Sequence, residues 1–204
     1  MGGTTDLDPP SNSQGWITAV DAATGAVRWK YRSPRPKPRA SAYDGRMSDE
    51  AIREQLVRLL DWKEAHVGFD KAVEGIPADK RSARASGFEH SPWALVEHMR
   101  IAQDDILDFC VNAQYVHTMK WPDDYWPAHP APPNAAAWDE SIASFKRERG
   151  KLKTLARDTK DLYALVPTGK GHQTYLRALL LINDHNSYHL GQIVAVRRAL
   201  GAWS

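Results

Sequence analysis

From Met47 onward, apolar residues return every three or four positions, the period of a helix with one buried face. Four such segments can be marked off. The first runs from about Ser48 to Val73, with Ser48 as its cap and Asp49 and Glu50 in the opening turn, where acids suit the helix dipole. Ile52, Leu56, Leu59, Leu60 and Val67 mark its buried face, and Gly75 and Pro77 end it. The second starts after Ser91, with Pro92 at its first position, and continues to about Ala113. The third covers about Ala136 to Arg157. The fourth covers about Gln173 to Leu200 and closes at Gly201.

Between the second and third helices lies Val116 to Pro133, with five prolines set among Trp121, Tyr125 and Trp126; it cannot be helical for long. Short links force neighbouring helices to run antiparallel, whereas ~20 residues can span the length of a bundle. The prediction is an all-α four-helix bundle with an up-down-down-up course and a long crossover between helices two and three. Helices two and four then lie adjacent and antiparallel.

Before Met47 the pattern changes. Gly15 to Asp21 and Ala26 to Tyr31 alternate apolar and polar residues on either side of Thr24-Gly25, which reads as a β-hairpin. The stretch resembles one repeat of a quinoprotein-dehydrogenase propeller, in which a strand ending in Val-Asp, a Thr-Gly turn and a Trp-containing strand recur around a ring. Here the unit occurs once. A single hairpin is marginal in water and a propeller needs several blades, so neither the cofactor nor the dehydrogenase activity carries over. Residues 1–46 are therefore read as an N-terminal extension: a packed hairpin-like appendage, a disordered segment, or a relic of gene fusion or a misassigned start. Residues 47–204 form the bundle domain.

A chain of 204 residues can bury one sizeable core. Its net charge of +2 gives no general reason to expect nucleic acid or membrane as a partner. The local exception is Arg28 to Arg39, with six basic residues and no acid, a candidate docking arm for another protein. Cys110 is the single cysteine, so no internal disulfide or thiolate-only metal cluster can form; it is expected as a small core residue. No run approaches the ~20 apolar residues of a membrane span, and the opening residues lack a secretory pattern. The expected location is cytoplasmic.

The most informative segment is Asp184-His-Asn-Ser-Tyr-His189-Leu-Gly-Gln192. His185 and His189 stand four apart on a helix and project from one face, so two imidazoles can grip one ion. The shared face runs through Ala178, Ile182, Ile193 and Val196, which turns both rings toward the core. Two ligands hold Zn²⁺ or Ni²⁺ poorly, so a third is expected from another helix. His98 is the best candidate, beside the apolar row Leu95, Met99, Ala102, Ile106 and Phe109. The alternative is that these histidines are core residues hydrogen-bonded across helices, or are exposed. Tyr188 and Gln192, within a turn of the ligands, are the candidates to hydrogen-bond a bound water or substrate, or else simply pack. Asp184 can orient a ligand imidazole or pair with a basic neighbour. His66, His90, His117, His129 and His172 have no partner four residues away and read as surface or loop residues.

Three blocks, His90-Ser-Pro-Trp93, Leu95-Val-Glu-His98-Met-Arg-Ile-Ala-Gln103 and the Asp184–Gln192 segment, together resemble the DinB/YfiT-like metalloproteins over residues 48–203. The resemblance implies a divalent metal held by His98, His185 and His189 in a four-helix bundle that pairs as a homodimer. It also implies a metal-dependent enzyme acting on a small molecule, with a low-molecular-weight thiol in a transfer or isomerisation. A non-catalytic, stress-responsive module that binds metal or a small ligand is the competing expectation. The sequence departs from the family at Tyr188, where many relatives place a histidine, and at Leu190, where arginine is frequent.

Overall fold

Three of the long helices open on a side chain that accepts a backbone N–H, which satisfies one of the donors a helix start leaves free. In the computed structural model, which describes residues 16–20, 27–32 and 45–203, Ser91 Oγ accepts from the Ala94 amide at 3.2 Å and opens α4, Pro92–Val111. Asn134 Oδ1 accepts from Ala137 at 2.9 Å and opens α5, Ala135–Asp158. Thr174 Oγ1 accepts from Arg177 at 3.2 Å and opens α6, Tyr175–Ala199, which closes at Gly201 in the left-handed region, φ 65°. All three agree with the predicted helices to within two residues. A single 3₁₀ turn, Asp123–Tyr125, lies in the crossover.

The first predicted helix is corrected. It begins at Gly45, ahead of Ser48, and α1 ends at Leu59; two short helices follow, α2 at Phe69–Val73 and α3 at Ala78–Arg81. The chain reverses at Trp62, whose φ is 51° and whose amide bonds to the Leu59 carbonyl at 2.9 Å. Gly68 allows the return. A Cβ there would lie 2.9 Å from the Asp61 carbonyl oxygen, so the backbone approaches more closely than any side chain permits. Val67, expected on the buried face, consequently sits in this loop and is exposed, while Leu56 and Leu60 are buried.

The helix course follows from which residues meet. On α4 and α5, Glu97 meets Ser141 and Gln103 donates to the Phe145 carbonyl at 2.8 Å, so numbers rise together and the helices are parallel. On α4 and α6, His98 meets His189 while Gln103 meets Asn186, so those helices run antiparallel. Arg53 of α1 donates to the Ala156 and Arg157 carbonyls, and Asp61 pairs with Lys153, which makes α1 and α5 antiparallel. This is the up-down-down-up bundle, with α4 packed on both α5 and α6.

The core sits where these helices meet. Phe69 stacks on Phe145 with centroids 4.0 Å apart, and Leu95, Met99, Leu152, Ile182, Leu190 and Ile193 fill the remainder. Arg197 is also buried, and its guanidinium donates to the carbonyls of Ala202, Lys71 and Ala72, tying α2 and the chain after α6 together. Among the described residues no carboxylate pairs with it directly, so these carbonyl dipoles and the Trp203 ring, 4.8 Å from its central carbon, replace its lost hydration.

The chain divides into two units, Met1–Asp44 and Gly45–Ser204. In the first, β1 (Trp16–Val20) pairs antiparallel with β2 (Val27–Arg32), with an irregularity between Ala19 and Val20. The predicted Thr24-Gly25 turn and the end of the basic run lie outside the described residues. Among the described residues no helix is long and apolar enough to cross a membrane.

Candidate metal centre

On α6 the helical repeat places His185 and His189 on one face, and α4 brings His98 against them from the opposing wall. His98 is 1% exposed and His189 8%; His185 is half-buried. His98 Nε2 lies 3.0 Å from His185 Nε2 and 3.1 Å from His189 Nε2, and one nitrogen of each ring falls within 4.8 Å of the others. Imidazole nitrogens that share an ion at ~2.0–2.1 Å stand about 3.0–3.4 Å apart, so the spacing fits a shared cation.

The outer nitrogens decide the protonation pattern. His98 Nδ1 faces the Tyr125 carbonyl at 2.8 Å, His185 Nδ1 faces Asn186 Oδ1 at 3.0 Å, and His189 Nδ1 faces Gln192 Oε1 at 2.7 Å. Oxygens of this kind only accept, so each Nδ1 carries the hydrogen and each Nε2 presents a lone pair. The direction at His185 is anchored elsewhere. Gln103 Nε2 donates to the Phe145 carbonyl, which leaves Gln103 Oε1 to accept from Asn186 Nδ2 at 3.2 Å and Asn186 Oδ1 to face the ring.

The His98 lone pair faces those of His185 and His189 across 3.0 and 3.1 Å, and such lone pairs repel unless a cation lies between them. A proton is a poor one here. Burial, aided by the neighbouring His185, pushes His189 down to about 4, and burial likewise holds His98 at about 4 and His185 below its ordinary value. Neutral imidazoles with converging lone pairs are a donor set able to hold a divalent metal.

The crossover roofs this cluster. Trp126 stacks on His98 with centroids 3.9 Å apart and planes within 8°, and it stacks equally on His90 at 3.8 Å. Trp93 Nε1 donates to the His129 carbonyl at 3.0 Å, which pins the crossover to the start of α4.

A model of the DinB superfamily matches residues 61–193, well over half of the chain and all three histidines. The chain belongs to the DinB superfamily. No curated protein matches it. The DinB match begins after the N-terminal unit, so the propeller-like resemblance of that segment is left without support.

Within this DinB chain the other predicted site residues take distinct places. Gln192 orients His189 through its side-chain oxygen, and its Nε2 donates to the Tyr188 hydroxyl at 3.2 Å. Tyr188 is 65% exposed at the rim, edge-on to His189 at 4.9 Å. Asp184 is exposed, and the orienting position beside His185 is held by Asn186. His66, His117, His129 and His172 are exposed, as expected for loop and surface residues. His90 is half-buried by its stack on Trp126. Cys110 is buried, its thiol pushed up to about 12 by desolvation.

Sequence reasoning passed over Asn186, Gln103 and the Tyr125 carbonyl. For the first two a signal existed. Asn186 lies on the stripe Ile182, His189, Ile193, and Gln103 beside Met99 and Ala102; a polar amide at a core position calls for a buried partner.

Proposed function

We propose that the chain binds one divalent metal, zinc or nickel, through the Nε2 atoms of His98, His185 and His189. We propose further that it uses the metal in a thiol-dependent transfer or isomerisation of a small molecule. The observation that carries this reading is the convergence of three ring nitrogens whose opposite nitrogens each face an oxygen acceptor. Fixed rings lose little freedom on binding an ion, and the hydrogen bonds at Nδ1 make each Nε2 more basic. When bound, the metal supplies a Lewis acid that lowers the pKa of a coordinating water or thiol.

The protein's own groups supply the surroundings. Three neutral ligands leave the positive charge uncompensated, which favours an anionic thiolate as substrate ligand. Trp126 shields His98 from water, and the Tyr188 hydroxyl stands at the rim, where it can hydrogen-bond a bound small molecule.

A second reading is a non-catalytic, stress-responsive module that holds metal or a small ligand. It is favoured by the depth of His98 and by the tryptophan laid directly against it. Openness of the coordination shell discriminates: positions exchangeable with added thiol support the enzyme, and a closed shell the module. The reading includes a homodimer and a cytoplasmic location. Leu180, Leu181 and Tyr188, exposed along α6, support a paired surface, and sedimentation at micromolar concentration tests it.

The test is elemental analysis of the purified chain and of His185→Ala, followed by a screen of low-molecular-weight thiols with electrophilic acceptors. About one metal per chain, lost in the variant, is expected for a three-histidine site. Unchanged stoichiometric metal in His185→Ala overturns the site. Metal-dependent thiol consumption supports the enzyme, and its absence with every thiol favours the module.

A further inference from the structure

The three histidines are not oriented alike. His185 and His189 take their Nδ1 partners from Asn186 and Gln192 on their own helix, whereas His98 takes the Tyr125 main-chain carbonyl, from the crossover 27 residues further on. That carbonyl is only as fixed as the crossover that carries it. A loop cannot hold an atom at 2.8 Å from a ring without an anchor nearby.

Beside the Trp126 stack, the anchor that grips Tyr125 itself is a carboxylate on α4. Asp105 stands seven residues, or about two helical turns, after His98 on the same stripe of α4. Its Oδ2 accepts from the Tyr125 hydroxyl at 2.6 Å and its Oδ1 from the Tyr115 hydroxyl at 2.7 Å. Tyr125 is therefore held at both ends to one helix, by its phenol to Asp105 and by its carbonyl to His98. The carboxylate also gathers Tyr115, just before the crossover, so the start and the middle of that segment are tied to one side chain. Charge-assisted O–H···O⁻ bonds of this length are about twice as strong as neutral ones. Tyr125 is 7% exposed, which shelters the bond from competition with water.

We infer that Asp105 is a positioning residue of the histidine site: by clamping the Tyr125 phenol it sets the Tyr125 carbonyl that fixes the ring and tautomer of His98. The role rests on the proposed three-histidine metal site, but its first readout needs no metal. Without the clamp the carbonyl drifts, His98 is free to carry its hydrogen on Nε2, and a hydrogen on Nε2 blocks the lone pair a metal requires. The other two ligands, supported from α6, are unaffected.

The test is long-range ¹H–¹⁵N NMR of the imidazoles in the full-length, metal-free protein at neutral pH, followed by competition titration with Zn²⁺. In the wild type, His98 is expected wholly in the Nδ1–H form. In Tyr125→Phe, which keeps the ring and the carbonyl, His98 is expected to show both tautomers while His185 and His189 keep theirs, and zinc affinity to fall ~10–100-fold, the usual cost of losing an outer partner. Asp105→Asn, which keeps shape and one acceptor but loses the charge, is the second variant should Tyr125→Phe fold poorly, with the same tautomer change expected. An unchanged Nδ1–H signal for His98 in the folded variants, with zinc affinity within ~2-fold of wild type, overturns the inference. A wild type that binds no zinc overturns the metal-site reading instead, and the tautomer comparison then decides the role of Asp105 alone.

Discussion

The α6 half of the histidine site and the crossover half solve the same problem in different ways. On α6, ligand and orienting partner are near neighbours in sequence: His185 with Asn186, His189 with Gln192. The rigidity of the helix places them together at no further cost in chain ordering. Opposite, His98 depends on a proline-rich segment that must be laid over α4 and tied down through Trp93, Tyr125 and Trp126 before its ring has a partner. A site built from one self-contained half and one assembled half should therefore fail differently when each half is damaged.

The largest expected effect is removal of a ligand. His189→Ala should weaken metal binding by more than ~100-fold, beyond the upper range for an outer partner, with the helical far-ultraviolet spectrum retained. Equilibrium dialysis with Zn²⁺ measures it, and affinity within tenfold of wild type would remove His189 from the ligand set. Next comes Asn186→Ala. Asn186 is fully buried between His185 and Gln103, so its loss should cost metal affinity ~10–100-fold and stability about 1–3 kcal/mol, because the Gln103 side-chain oxygen is left buried without a donor. Urea unfolding checks the second figure.

Acid should act on both halves. The unfolded chain takes up protons on histidine from about pH 6.5 downward, whereas burial delays His98 and His189 to about 4. Between those values the unfolded state binds more protons, so the stability these two neutral histidines contribute is fully present above about 6.5, is lost as pH falls toward about 4, and changes no further below it. Urea midpoints across that window test the sign, and a midpoint that rises on acidification would contradict it. Replacing His98 by Gln should flatten the slope, since one of the sites whose protonation burial delays is gone.

The smallest effects lie at the rim. Gln192→Ala should lower affinity by ~10-fold, since Gln192 is half-exposed and water can replace its oxygen at His189. Tyr188→Phe should leave metal binding within ~2-fold, because the hydroxyl touches only Gln192. A large loss of affinity in Tyr188→Phe would move this residue from the rim into the site.

The same contrast explains how much could be read in advance. Four amphipathic segments, the Ser91-Pro92 start and the Gly201 stop were legible, because periodicity and caps are local properties. The break at Trp62 was not: the residues from Asp61 to Gly68 keep enough apolar spacing to imitate a helix, and only the close approach of Gly68 to the Asp61 carbonyl reveals the reversal. Within the site, the His185–His189 pair announces itself by spacing, whereas the partner of His98 is a main-chain oxygen. A carbonyl has no signature in sequence, and the Tyr125–Asp105 bond that holds it joins residues 20 apart through a segment with almost no repeating structure. Polar residues on otherwise apolar stripes, such as Asn186 and Gln103, are the readable trace of such networks.

X-ray absorption at the metal edge of the loaded protein, without added thiol, tests the central claim most directly. Three imidazole nitrogens at ~2.0–2.1 Å are expected, with the remaining positions filled by light oxygen scatterers. Fewer than three imidazoles in the shell, or a chain that takes up no zinc or nickel at all, would contradict it.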